Sequence, residues 1–347
     1  MNNGPYPGIF YQNIMKENIS RKTFIRSTAI VAASIPFGLK DLAASVEGKT
    51  NTPPVFAYAP TNSVVEKLSI NIFSKHLHWL NYREMAVLAN ELGYDGIDLT
   101  VRDQGHVLPQ NVEKDLPKAV DAIRNVGLEV HTITTDIKSA DEKYTANILK
   151  AATAAGIKNY RMGWYEYSGK QEISTDLETF KVRLKRLAAI NEKYQIHGDY
   201  ENHTGRFGGP IWDLWLGMKE LDPKWIGCQF DIRHASVDGA EAWPRNLDLI
   251  HRYLGSVTIK DFFWEKKDNK WSPSNVPLGQ GMIDYPKYFG LLKKYQFQKP
   301  ISQHFEYPLG GAESGSNKLS ISKGEVIRHM QEDLVTLKTL LKGAQLI

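Results

Sequence analysis

The sequence predicts an α/β chain folded as a single-domain, closed parallel (β/α)8 barrel, a TIM barrel. Three observations carry this. Short apolar runs alternate with segments of helical spacing eight times without a break from residue 68 onward. The runs begin near 68, 94, 128, 157, 196, 226, 256 and 300, a regular series with longer excursions after the fourth and the seventh. No G-x-G-x-x-G follows Phe73, where a doubly wound open sheet would carry its phosphate loop. Eight strand–helix units in one series fit a closed barrel.

The elements follow in order. Leu68–Phe73 is a short apolar strand. Tyr82–Leu92 has helical spacing and stops at Gly93, a usual C-terminal stop. Tyr94–Val101 is the second strand, and Val112–Val126 a helix stopped by Gly127. Leu128–Ile133 is the third strand, and Tyr144–Ala155 a helix stopped by Gly156. Ile157–Gly163 is the fourth strand, followed by a long helix over Thr175–Tyr194. His197–Glu201 and Ile226–Asp231 are strands five and six, with a helix over Ile211–Leu221 between them. A helix over Ala242–Leu254 precedes the seventh strand, Val257–Lys260. Tyr285–Tyr295 precedes the eighth, Pro300–Glu306, and Lys323–Leu341 is the last helix.

The 347 residues are 42% hydrophobic, 24% charged and 11% aromatic, which supplies a core and excludes disordered, collagen-like and coiled-coil architectures. The single cysteine, Cys228, excludes an intramolecular disulfide and a cysteine-built zinc cluster. Residues 1–45 read as an export signal. A basic stretch, Ser20–Arg26, precedes an apolar run, Ser27–Leu39, and the small residues Ala43-Ala44-Ser45 suit cleavage. The run is short for a bilayer and broken by Pro36, so no stable membrane insertion is expected. The basic stretch resembles a twin-arginine signal with Lys22 in the place of the second arginine, and the expected location is periplasmic. Removing residues 1–45 leaves 38 basic and 37 acidic residues, a net +1, and no basic run for nucleic acid. Residues 46–66, with Thr52-Pro53-Pro54 and Ala59–Ser63, read as a linker or irregular N-terminal extension, leaving 67–347 for the barrel.

A barrel places its chemistry at the C-terminal ends of the strands. Those ends are polar here. The first carries Lys75, His76 and His78; the second Arg102, with His106 in the loop; the third His131; the fourth Arg161, leading to Trp164. The fifth ends in Glu201-Asn202-His203, the sixth in Asp231-Ile232-Arg233-His234, the seventh in Lys260-Asp261 and the eighth in His304-Phe305-Glu306. Three carboxylates with nearby histidines suit a divalent cation such as Mn, Mg, Zn, Fe or Co, and thiolate ligands are absent. Such an ion polarises a sugar carbonyl and stabilises the enediolate formed by proton removal. The bland reading is that each acid is a helix cap or half of an ion pair. Lys260 is open between binding a developing oxyanion and pairing with Asp231. His131 reads as a hydrogen-bonded core histidine, and His304 as packed one layer below Glu306. Trp164, Trp243 and Trp264 fall in loops at the catalytic end, where aromatic faces stack on sugar C–H surfaces. Arg206–Pro210 leads into the fifth helix, without the clustered N–H donors of a phosphate site.

These segments resemble the sugar phosphate isomerase/epimerase family of xylose isomerase-like barrels over roughly residues 65–343. Tyr94–Arg102 with His106–Pro109, Glu201-Asn202-His203, Phe230–Ala235, Ile259-Lys260-Asp261, Pro277–Gly281 and His304–Tyr307 carry the resemblance. It implies a metal held by a strand-5 Glu, a strand-6 Asp, a strand-7 His and a strand-8 Glu. Glu201, Asp231 and Glu306 match; the histidine position is Thr258, so His203 or His234 would have to complete the shell. The resemblance further implies that Glu201 and Glu306 transfer protons on the two sides of the substrate. It implies that His234 contacts substrate hydroxyls; Lys260, Arg102, His106 and Trp164 are further candidate substrate contacts. Homo-oligomers are common among similar proteins.

Three functions compete. The first is a metal-assisted isomerase or epimerase on an unphosphorylated sugar or keto-sugar, the unphosphorylated substrate following from export. The second is a keto-glycoside lyase or dehydratase using the same enolate chemistry. The third is a non-catalytic sugar-binding protein.

Overall fold

The computed structural model describes residues 68–347. The export signal and linker expected over residues 1–66 lie outside the described residues. The elements run β1 (Ile70–Phe73), α1 (Tyr82–Leu92), β2 (Gly96–Val101), α2 (Val112–Arg124), β3 (Glu129–Thr135), α3 (Thr145–Ala154), β4 (Asn159–Arg161) and α4 (Ile173–Tyr194). The second half runs β5 (His197–Glu201), α5 (Trp212–Met218), β6 (Ile226–Asp231), α6 (Ile232–Gly239), α7 (Trp243–Ile250), β7 (Leu254–Ile259), β8 (Asp261–Lys267), β9 (Lys270–Val276), α8 (Tyr285–Lys294), β10 (Ile301–Gln303) and α9 (Lys323–Gly343). Eight of the strands close a parallel barrel in the order β1-β10-β7-β6-β5-β4-β3-β2. Closure joins the first strand to the last, Ile70 opposite Ile301 and Ile72 opposite Gln303. No helix among the described residues is long and apolar enough to cross a membrane.

Side chains alternate between the faces of a strand. In this barrel one set is apolar and the other polar. Ile72, Leu99, Tyr160, Tyr200, Phe230, Val257 and Ile301 belong to one continuous apolar cluster with the helices. Fully burying such a side chain contributes about 2 kcal/mol. Residues of the other parity bond one another across the barrel. Asp98 accepts from Thr134 Oγ1 (2.8 Å) and Ser302 Oγ (2.7 Å). Asp199 accepts from Asn159 Nδ2 (2.9 Å) and Ser256 Oγ (2.7 Å). A Cβ at Gly255 would lie 2.1 Å from Asp199 Oδ1, so the glycine makes room for that carboxylate. Branched apolar layers usually fill such a barrel; here a hydrogen-bonded polar network does.

Helix ends follow the chain's own signals. Asn81 caps α1 in a reciprocal box with Glu84, and Gly93 ends it in the left-handed conformation (φ 90°). Two segments depart from expectation. A helix was expected only from Ala242, but α6 starts directly off β6, because the Asp231 side chain accepts the His234 N–H (3.0 Å) as its N-cap. The excursion after Lys260 is an antiparallel hairpin, β8 paired with β9. It turns through Asp268 and Asn269, both with positive φ (50° and 61°), which matches the twist of a two-residue hairpin turn. The eighth barrel strand pairs only over Ile301–Gln303, which leaves Glu306 in the loop beyond it. Trp243 opens α7 and is buried edge-on against Tyr288, and Trp264 lies on β8, so neither is a loop residue.

Candidate active site

One pocket opens at the C-terminal mouth of the barrel. Its wall is formed by Phe73 at the end of β1 and Lys75 just after it, Arg102 after β2, Arg161 and Trp164 from β4 onward, Glu201 and His203 from the end of β5, Lys260 after β7, and His304 and Glu306 after β10. Six strand ends thus contribute, as barrel geometry dictates. Of the expected site residues, Glu201, Glu306, His203, Lys260, Arg102 and Trp164 meet in this wall. Three do not. Asp231 and His234 are buried behind Lys260, and His106 stands behind the wall, its ring 4.8 Å from that of His78.

Every carboxylate here has a cationic partner. Glu201, fully buried, pairs with the Arg161 guanidinium. Burial pushes the Glu201 pKa up, but the Arg161 and Lys260 charges outweigh it and hold the group below the ordinary value. Glu306 pairs with Lys75 Nζ (3.2 Å) and Lys260 Nζ (3.0 Å). Burial opposes its ionisation, yet Lys260 and Lys75 hold it well below the ordinary value. Asp231 pairs with Lys260 Nζ at 2.9 Å. Burial acts to lower the Lys260 pKa, but Asp231, Glu306 and Glu201 reverse that, so the amine is an ammonium.

His234 completes the surroundings of Lys260. His234 Nε2 lies 3.0 Å from Lys260 Nζ, and Nδ1 lies 3.0 Å from Thr204 Oγ1, 3.3 Å from the Thr204 backbone N and 3.2 Å from Arg233 Nη1. Burial, then the Lys260 charge, keep this imidazole neutral, with a pKa well below the ordinary value. Asn202 fixes the site from behind. It donates to the Asp231 carbonyl (3.0 Å) and accepts the Asp231 N–H (2.7 Å), tying β5 to β6.

Aromatic faces complete the wall. Phe73 stacks on His304 at 4.3 Å, and the Arg161 guanidinium lies 4.7 Å from the centre of the Trp164 ring. Two buried donors of the wall, Arg161 Nε and Trp164 Nε1, have no acceptor among the described residues. Arg161, Lys75, Phe73 and His304 were not among the expected site residues. A buried arginine inside a strand was the available signal, since it requires a carboxylate partner. His304 is a wall residue of the pocket, with its Nδ1 3.7 Å from Glu306 Oε1. His131 is, as expected, tied into the barrel interior, its Nδ1 2.7 Å from Asn71 Oδ1.

A (β/α)8 barrel with ionised carboxylates and cations converging at its C-terminal mouth defines the class. The chain belongs to the xylose isomerase-like TIM barrel family, whose model matches residues 86–320. A search of the curated proteins finds no match. Among solved structures, the chain is similar to 3-keto-D-glucoside 4-epimerase from E. coli, with 16% identity, TM-score 0.57, and 79% of this chain and 100% of that one covered. It is similar to D-allulose 3-epimerase from Methylomonas sp., with 15% identity, TM-score 0.58, and coverages of 80% and 99%. A third neighbour is a xylose isomerase-like barrel protein from Mycobacterium smegmatis in complex with magnesium, with 13% identity, TM-score 0.54, and coverages of 79% and 97%. At these identities the likeness is one of fold.

The expected metal set of Glu201, Asp231, Glu306 and His203 does not assemble. No group of three or more His, Cys, Asp or Glu among the described residues is placed to hold a metal ion. The physical reason is occupancy of the ligand oxygens. Lys260 holds Asp231 and Glu306, and Arg161 holds Glu201. A dication and an ammonium about 4 Å apart repel by about 8 kcal/mol at an effective dielectric of 20. Thr258, in the histidine position, offers only a hydroxyl, 3.5 Å from Glu201 Oε1. The residues present therefore do not fit a divalent ion.

Proposed function

We propose that this chain is a sugar isomerase or epimerase acting on an unphosphorylated sugar or keto-sugar, by moving a proton at the carbon next to a carbonyl. One observation carries the reading: Glu201 and Glu306 reach a single pocket from different strand ends, both ionised, among the cations Arg161, Lys260, Lys75 and Arg102. One carboxylate removes the proton and the other delivers one, the pairing that interconverts epimers or shifts a carbonyl. The enediolate oxygen that results is stabilised by the Arg161 and Lys260 charges in a dry site. Ion pairing weakens both carboxylates as bases. Substrate oxygens offset this by drawing the guanidinium and ammonium donors toward themselves. Arg161 Nε and Trp164 Nε1, without acceptors among the described residues, supply two further donors. Trp164 and Phe73 offer faces for sugar C–H groups. His234 acts through Lys260 as a positioning residue. The reading of residues 1–45 as an export signal supports the unphosphorylated substrate, because phosphosugars are mostly cytoplasmic.

The test is hydrogen exchange with solvent. The chain is incubated in D2O with D-allulose, other free ketoses and aldoses, and a 3-keto-D-glucoside. Deuterium at the carbon next to the carbonyl is followed by NMR. Incorporation is expected, slowed about a thousandfold in E201Q and in E306Q with circular dichroism unchanged. No incorporation with any sugar overturns the reading. Loss of a leaving group with new ultraviolet absorbance assigns the lyase instead.

A further inference from the structure

We propose that the Lys260 ammonium occupies, as a built-in cation, the position between the strand-6 and strand-8 carboxylates, and that this centre needs no divalent metal. The juxtaposition is specific. An ammonium has three N–H donors; Lys260 Nζ donates to Glu306 Oε2 at 3.0 Å, meets His234 Nε2 at 3.0 Å and forms an ion pair with Asp231 Oδ2 at 2.9 Å. Lys260 is 4% exposed, so the charge is held by the protein and not by water. These three partners come from β6, the first turn of α6 and the loop after β10, so one point charge ties three separate segments.

The remaining residues agree with this assignment. Thr258 reaches into the same interior, two residues before Lys260, and its hydroxyl donates to Glu201. It adds no soft or anionic donor to the set. Glu201 turns its other oxygen to Arg161, so a second fixed cation serves the third carboxylate. A fixed cation cannot bind an oxygen as a Lewis acid does. It supplies a preorganised positive potential; its charge opposes the burial that pushes the Asp231 pKa up to about 6 and, with Lys75, holds Glu306 well below its ordinary value, without dependence on metal supply. The catalytic use of that potential rests on the proposed function; the occupancy of the position does not.

Manganese uptake tests the proposal. Full-length protein is dialysed against EDTA and then titrated with Mn²⁺, bound ion being read by electron paramagnetic resonance and melting temperature in parallel. The wild type is expected to take up no stoichiometric Mn²⁺ and to keep its melting temperature with and without EDTA. K260Q, which leaves buried carboxylates uncompensated, is expected to bind one Mn²⁺ roughly a hundredfold more tightly than the wild type. It is also expected to regain melting temperature on doing so. T258H keeps the ammonium and adds an imidazole beside Glu201; it is expected to bind no more Mn²⁺ than the wild type. Stoichiometric uptake by the wild type overturns the proposal. So does uptake by T258H, which would show that the missing histidine and not the ammonium excludes the ion. A folded K260Q that binds nothing overturns it as well. Should K260Q fail to fold, the wild type and T258H still decide. Metal arms that behave as expected, with no deuterium exchange on any sugar, would remove the proposed function and leave this inference standing.

Discussion

His76 touches no pocket space, yet it fixes the loop that carries Glu306. Its Nε2 accepts the Phe305 N–H (3.1 Å), so Nδ1 bears the hydrogen and donates to the Ala312 carbonyl (3.0 Å). Protonation would put a hydrogen against the Phe305 N–H. Burial, then the Lys75 charge, hold the imidazole well below its ordinary value of 6.5. The unfolded chain therefore binds a proton near pH 6.5 that the folded chain refuses. The His76 contribution to stability is whole above that pH and falls as pH drops below it, by up to about 2 kcal/mol at pH 5. H76Q keeps one donor and one acceptor but cannot titrate. Urea unfolding at pH 8 and pH 5 should show H76Q less stable at pH 8 and losing less between the two; an unchanged loss would exonerate His76. In the sequence this residue was one polar position among several at the end of the first strand. Glu201, Lys260 and Glu306 were legible there because barrel geometry gives each strand end an address. Their partners were not, because the Arg161–Glu201 and Lys260–Glu306 contacts join residues far apart in the chain.

Asp261 organises the element after β7. Its oxygens accept the N–H groups of Phe262 (2.8 Å), Gly279 (3.0 Å) and Gly281 (3.1 Å), so one carboxylate pins the base of the hairpin to the Pro277–Gly281 loop. A Cβ at Gly281 would lie 2.0 Å from Asp261 Oδ1. G281A must break that cluster and is expected to cost about 3 kcal/mol in urea unfolding. Gly290, inside α8, has no atom within 4 Å of the corresponding Cβ position, so G290A should instead stabilise by about 1 kcal/mol. Equal effects would deny that close approach decides the outcome. Strand and helix cores were read correctly because glycine stops and apolar periods are local signals. The hairpin is not read from the sequence, although Asp268-Asn269 lies between two runs of strand-forming residues, because the excursion after strand seven carries no element in that reading before the helix at Tyr285. The α6 helix is not read from the sequence because the helix cap, the bland alternative to a metal ligand at Asp231, is not followed there into a helix beginning at Ile232.

At the scale of the whole barrel, eight neighbouring units predict closure, but the closing contact is the least local one. Neighbouring strands such as β5 and β6 meet within a few tens of residues, whereas β1 meets β10 across 231, Ile70 opposite Ile301. Asn71 sits on that seam. Its Nδ2 donates to the Ile301 carbonyl (3.1 Å) and to the Ser69 carbonyl (3.2 Å), and its Oδ1 meets His131 Nδ1 (2.7 Å), so one side chain ties β1, β10 and β3. The polar interior makes such ties necessary. Where packed branched side chains are interchangeable to within a methylene, a buried amide leaves orphaned partners when it is removed. N71A is therefore expected to cost about 3 kcal/mol, more than a single apolar truncation to a neighbouring size. The denaturant slope distinguishes two ways of losing it. A slope equal to that of the wild type means that opening the seam unfolds the barrel as one unit. A shallower slope with separated fluorescence and circular dichroism transitions would mean that half a barrel persists, and that the β1–β10 seam is a late addition to a stable core. Because interior hydrogen bonds join next-nearest as well as neighbouring strands, Asp98 to β3 and β10 and Asp199 to β4 and β7, the equal slope is the expected result.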